Sequence, residues 1–137
     1  MIATCKVCEA NTKFRHWTIK GDKFRSVHLT LDEIASTLYA FVDNIAEIVV
    51  TLHAIPYGTM TEFLTNSEVA QTEMMVDADR IIDAEIFELS VILGLAEEAR
   101  QDGVMDGITE NDVFGRMSTL RHWYYFLLGM KKRDSDE

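Results

Sequence analysis

The sequence is short of chain breakers: one proline, Pro56, and seven glycines in 137 residues. So few excludes an architecture of many short strands and turns and leaves room for long helices. Cysteine is scarce too, with only Cys5 and Cys8, which cannot build a disulfide framework or a four-cysteine zinc site. They form a lone C-x-x-C with no strand ahead of it. The simplest reading is two reduced thiols one helical turn apart, and the residues leave any further role open. Long apolar runs are missing. The longest stretch without Asp, Glu, Lys or Arg runs from Ile48 to Thr61 and contains Pro56, too short and too broken to span a bilayer. The opening Met-Ile-Ala-Thr-Cys-Lys lacks a basic region followed by an apolar stretch, so no signal peptide is read and a cytoplasmic location is expected. Basic charge is the last deficit: 13 Lys and Arg stand against 23 Asp and Glu, for a net charge of −10. Residues 1–25 carry +4 and residues 26–137 carry −14. An acidic body repels phosphate backbones and attracts cations, so metal is the expected partner and DNA is not.

What is present is an ordinary globular composition, 47% hydrophobic and 26% charged, in a chain long enough for one domain over residues 1–137. A first helix is expected from Ile2 to Ile19, stopped by Gly21. A second begins at Ser26 or a residue or two earlier and ends near Ala54, ahead of Pro56. Leu31, Leu38, Ile45 and Leu52 recur every seven residues, with Ala35, Val42 and Val49 four residues after the first three. That pattern predicts a helix packed along its length in a bundle. A short helical turn fits Thr61–Thr65. A third long helix carries Ile82, Ile86, Leu89, Leu93 and Ala96 and stops at Gln101-Asp102-Gly103, with Gly107 a second break. Thr109-x-x-Asp112 reads as a capping box opening a fourth, through Met130, with Val113, Met117, Leu120, Tyr124 and Leu127 inward. The expected fold is all-α: a four-helix bundle with a short helix in the long connection between its second and third helices.

The second helix also displays His28, Asp32, Asp43 and Glu47. Each pair is four residues apart, and the pairs are offset by eleven residues, almost a whole number of turns, so all four share one stripe. By rise, Asp32 and Asp43 are about 16 Å apart, whereas metal–ligand bonds are about 2 Å, so one ion cannot touch both pairs on one helix. A two-fold related antiparallel helix would bring Asp43 and Glu47 of one chain opposite His28 and Asp32 of the other. Mixed imidazole and carboxylate ligands suit iron, and also zinc or manganese. His16 sits near the end of the first helix, and antiparallel packing of the first two helices could bring it beside His28. By spacing alone the same residues serve equally as a solvated helix face. A ferritin-type centre within one chain is not expected, because no Glu is followed three positions later by His.

The run His16-Trp17-Thr18-Ile19-Lys20-Gly21-Asp22-Lys23-Phe24, then Val27-His28 and Asp32-Glu33, resembles the signature HWxxxGxxFxxxHxxxDE of the Dps family of mini-ferritins. Asp43-Asn44-Ile45-Ala46-Glu47, the block Ile55-Pro56-Tyr57-Gly58-Thr59 and Trp123 extend the likeness over most of the chain. The resemblance implies an iron-oxidising, iron-storing shell of twelve subunits built from two-fold dimers. Its ferroxidase sites would hold two iron ions each, with zinc as a substitute, and hydrogen peroxide is the family's usual oxidant. By carry-over, the catalytic and metal-binding residues are His16, His28 and Asp32 of one subunit with Asp43 and Glu47 of its mate. Trp17 is a candidate for taking up stray oxidising equivalents, and equally a packed aromatic. Asp102, Asp106, Glu110 and Asp112 fall where the family builds acidic iron-entry pores. The chain departs from the family in a short first helix without a Lys/Arg-rich tail, in Ile48, in His53-Ala54 where Gly-Gly is usual, and in Lys131-Lys132-Arg133 cancelled by Asp134, Asp136 and Glu137. DNA binding is therefore not expected. Two other readings stay open: a nucleoid-binding shell with secondary iron chemistry, and a degenerate bundle acting as an interaction protein. His53 and His122 are read as ordinary packed or surface histidines.

Overall fold

The computed structural model describes residues 1–131, so the charges expected at Lys132, Arg133, Asp134, Asp136 and Glu137 lie outside the described residues. Five helices follow in order: α1 (Ile2–Thr18), α2 (Phe24–Thr51), α3 (Met60–Asn66), α4 (Ala78–Gln101) and α5 (Gly107–Met130). Beyond them, among the described residues, the one extended pairing is an isolated parallel bridge between Lys20 and Asp77. The bundle is thus two helical hairpins, α1/α2 and α4/α5, joined by a long connection that holds α3. Lys20 donates its N–H to the Val76 carbonyl at 3.0 Å, which places the start of α2 beside the start of α4. The Lys131–Asp83 ion pair at 3.1 Å brings the end of α5 to the same end of the bundle.

The helix ends follow local chemistry. α1 stops because Gly21 takes φ +108, a conformation that side chains with a Cβ resist. α2 begins at Phe24, two residues ahead of Ser26; the Ser26 hydroxyl donates back to the Lys23 carbonyl instead of capping. It ends at Thr51, three residues short of the expected Ala54, because His53 turns into the left-handed region at φ 63. α3 has a capping box that the sequence reading missed: Thr59 accepts from the Glu62 N–H while Glu62 receives the Thr59 N–H. α4 is capped by Asp77, which accepts from the Arg80 N–H at 3.0 Å. The cap of α5 is a correction: Asp106, not Thr109, is the N-cap, accepting from the Thr109 N–H at 2.7 Å, and Gly107 is the first residue of the helix instead of a break before it.

The core is apolar, with Leu31, Ile34, Leu38, Ile81, Ile82, Leu89, Ile92, Leu120 and Leu127 fully buried; on α4 Ile81 and Ile92 take the places expected for Ile86 and Leu93, which are only half-buried, as is Tyr124 on α5. The α2 stripe, however, is not covered along its whole length. Burial is complete through Val42; Ile45 and Val49 are half-buried, and Leu52 is 56% exposed. The cause is length: α1 has 17 residues and α2 has 28, so at about 1.5 Å per residue the second helix overshoots its antiparallel partner by roughly 16 Å. By length and apolarity alone α2 could cross a membrane. Here Val27, Leu31, Ile34, Leu38, Phe41 and Val42 are instead part of the bundle core.

One cluster in the core is charged. Arg15, 2% exposed, forks to Glu85 at 2.9 Å and Glu88 at 2.6 Å. Thr12 donates to Glu85 at 2.9 Å, and Asn11 ties the group to the connection by donating to the Ala70 carbonyl and accepting from the Thr72 N–H. Burial pushes the Glu85 carboxyl up, to about 7, with Arg15 opposing and Glu88 reinforcing the shift. Nearby, burial pushes the Cys5 thiol up to about 12 and that of Cys8 further, so both stay protonated and inert as nucleophiles.

Two outcomes follow. A Glu85 pKa raised in the folded state stabilises the fold below the ordinary carboxylate value of 4.5 and loses that contribution as pH rises through about 7. Urea unfolding of Glu85→Gln should therefore gain on wild type between those pH values, whereas Arg15→Met should cost about 3–5 kcal/mol by leaving buried carboxylates unpaired. Separately, His53→Gly should raise stability by about 0.5–1 kcal/mol, read as a higher thermal midpoint, because glycine adopts the left-handed turn without the steric cost of a Cβ.

Candidate metal centre

Of the five residues singled out as ligands, His16 and His28 stack and Asp32 lies near His16, without closing a three-ligand group. α1 and α2 pack antiparallel across the Ile19–Lys23 turn, so His16 near the end of α1 meets His28 in the second turn of α2. Their rings stack with centroids 3.8 Å apart and planes 12° from parallel. His16 Nδ1 lies 2.6 Å from the His28 carbonyl oxygen, and His28 Nδ1 lies 2.7 Å from the His16 carbonyl oxygen. A carbonyl only accepts, so each Nδ1 carries a proton, and in the neutral ring each Nε2 then has a lone pair for another partner. Holding the second ring nitrogen this way is how proteins orient imidazoles for metal. Phe24 closes the stack on the far side of His28, with centroids 4.7 Å apart. His16 Nε2 is 3.9 Å from Asp32 Oδ1.

That same oxygen is already taken. Lys13 donates to Asp32 Oδ1 at 2.6 Å, and this ammonium is the main cause holding the Asp32 carboxyl below its ordinary range. The sequence reading missed Lys13, although its position three residues before His16 put it on the same helix face.

Asp43 and Glu47 do not join the group. Both are exposed on the later part of α2, at the distance that the helix rise demands. Among the described residues of one chain, no group of three His, Cys, Asp or Glu side chains is gathered closely enough to hold an ion, the His16, His28 and Asp32 neighbourhood included. Trp17, next to His16 in sequence, is 68% exposed and so is not a packed aromatic in the isolated chain. The acidic residues between the last two helices sit at the opposite end of the bundle. Asp102 terminates α4, Asp112 is exposed, and Asp106 is committed to capping α5, its carboxyl lowered by the Thr109 N–H. Glu110 lies half-buried in the first turn of α5. His53 and His122 are both exposed; His122 packs edge-on against Phe126.

No family model matches the sequence. Among curated proteins, the chain is 29% identical over 92 residues to the DNA protection during starvation protein of Halobacterium salinarum, covering 67% of this chain and 45% of that one. It is 29% identical over 98 residues to an uncharacterised protein of Haemophilus influenzae, covering 72% and 61%. The chain thus spans about half the length of these relatives. Among solved structures, Dps from Thermosynechococcus elongatus superposes with a TM-score of 0.85 at 25% identity, covering 98% of this chain and 87% of that one. Dps from Vibrio cholerae, described as a member of a broad superfamily of ferritin-like diiron-carboxylate proteins, gives 0.86 at 22% identity over 94% and 82%. In sequence the chain is thus similar to curated DNA protection during starvation proteins, and its fold is that of the Dps ferritin-like bundles.

Proposed function

We propose that the chain oxidises Fe(II) at sites shared between two-fold related subunits and stores the ferric product inside a closed shell of twelve. The observation that carries this reading is the split of the ligand set. Two imidazoles and a carboxylate gather at one end of α2, while a second carboxylate pair is displayed on the same stripe about 16 Å away. An antiparallel copy of α2 supplies what each half lacks, twice per dimer, as an isologous interface must. His16 and His28 then offer Nε2, Asp32 offers an oxygen, and the partner chain offers carboxylates able to bridge two ions.

The chemistry is redox with modest demands on the protein. Each of two ferrous ions gives up one electron. With hydrogen peroxide as oxidant, the O–O bond breaks on receipt of both electrons and two protons, leaving two waters and no radical. Trp17, next to His16 in sequence, would give up an electron to the one-electron product if only one ion is oxidised. Twelve copies of a −10 chain concentrate cations by their summed field. Asp102, Glu110 and Asp112 suit the lining of an entry route, whereas Asp106 is less available, being held by its cap. Zinc fits the same donors and would act as a redox-inert competitor. A nucleoid-binding shell fits less well, because the acidic composition supplies no basic surface. The same composition and likeness favour the cytoplasm as the compartment.

Anaerobic Fe(II) loading followed by a peroxide pulse should give rapid ferric absorbance in wild type and no rate above protein-free buffer in Asp43→Ala or His28→Ala. Co-refolding the two inactive variants should restore about a quarter of the sites, since half the dimers are mixed and each mixed dimer has one intact site. Equal rates in wild type and the Asp43→Ala chain, or no recovery on mixing, would remove the shared site. In a gel-shift assay at about 150 mM salt the protein should leave duplex DNA unshifted.

A further inference from the structure

The site is not empty of positive charge. Lys13 Nζ sits 2.6 Å from Asp32 Oδ1, and His16 Nε2 faces the same oxygen from 3.9 Å. An ion bound by His16 and that oxygen at about 2 Å from each would lie within about 5 Å of the ammonium, where the two cations repel each other strongly. As a surface pair, with side chains 39% and 48% exposed, Lys13 and Asp32 contribute little to the isolated chain. In the paired arrangement proposed above the balance changes, because Asp43 and Glu47 of a second copy would add two carboxylates opposite Asp32. Three like charges in one site need a counter-cation before any metal arrives.

We propose that Lys13 is the resident counter-cation of the shared site, and that a divalent ion enters by exchange for its ammonium. The proposal rests on the shared-site reading and deepens it. Loading is then a competition: the ammonium leaves Asp32 Oδ1 as the ion takes it, and returns when the oxidised ion moves on to the store. The cost is weaker retention of the metal; the gain is a site that keeps its shape and its subunit contact when iron is scarce.

The test uses the full-length chain with Co(II) alone, without oxidant, followed by its visible absorption and by calorimetry. Lys13→Met, with Lys13→Gln as a second variant should the first fold poorly, should bind Co(II) about tenfold or more tightly than wild type. In an Asp32→Asn background, Lys13→Met should bring no further gain. The metal-free Lys13→Met protein should melt below wild type, and the Co(II)-saturated one above it, a crossing that a merely structural lysine would not produce. Equal affinities in wild type and both Lys13 variants overturn the exchange. Failure of all of them to bind Co(II) overturns the shared site itself.

Discussion

Arg15 sits in the interior, where an unpaired charge costs several kcal/mol, and is held between two carboxylates from the opposite hairpin. Apolar packing between helices tolerates sliding and rotation; a forked guanidinium does not, because its donors match the two acceptors in one register only. This fork fixes how α1 lies on α4, and Asn11, in the same network, fixes how the connection crosses over them. The next residue after Arg15 is His16. Its ring position is inherited from that register before any contact of its own is counted. Reciprocal bonds to backbone carbonyls then set the ring orientation.

A second constraint decides what one chain can do. A helix rises by a fixed amount per residue, and eleven residues carry Asp43 beyond the reach of any ion bound at His28 and Asp32. The fold gathers His16, His28 and Asp32 at one end of α2 and leaves Asp43 and Glu47, the other half of the proposed ligand set, exposed. The overshoot of α2 past α1 works in the same direction, keeping Val50 and Leu52 on the surface of the isolated chain.

Much of this was legible in the residues. The heptad-spaced stripe gave α2, the paucity of breakers gave long helices, and i,i+4 spacing placed the ligand pairs on one face. The antiparallel return across Gly21 brought His16 to His28 as expected. The misses share a cause: each involves a polar side chain whose partner is distant in sequence or whose role is a cap. Nothing local in the sequence marks Glu85 and Glu88 as buried, because their partner Arg15 stands seventy and more residues earlier. Asp106 read as pore chemistry and serves as a cap. Lys13 read as part of a basic segment, whereas its position three before His16 already aligned it with the site. The buried extent of α2 depended on the length of its neighbour, which no periodicity within α2 encodes.

The division of the ligand stripe also bears on gene dosage. If half of every site belongs to another copy, then while chains are scarce and mostly unpaired the number of working sites grows with the square of chain concentration. It becomes linear only once pairing is complete. A small basal supply would do almost no chemistry, and a burst of synthesis would switch the activity on more sharply than the protein itself accumulates.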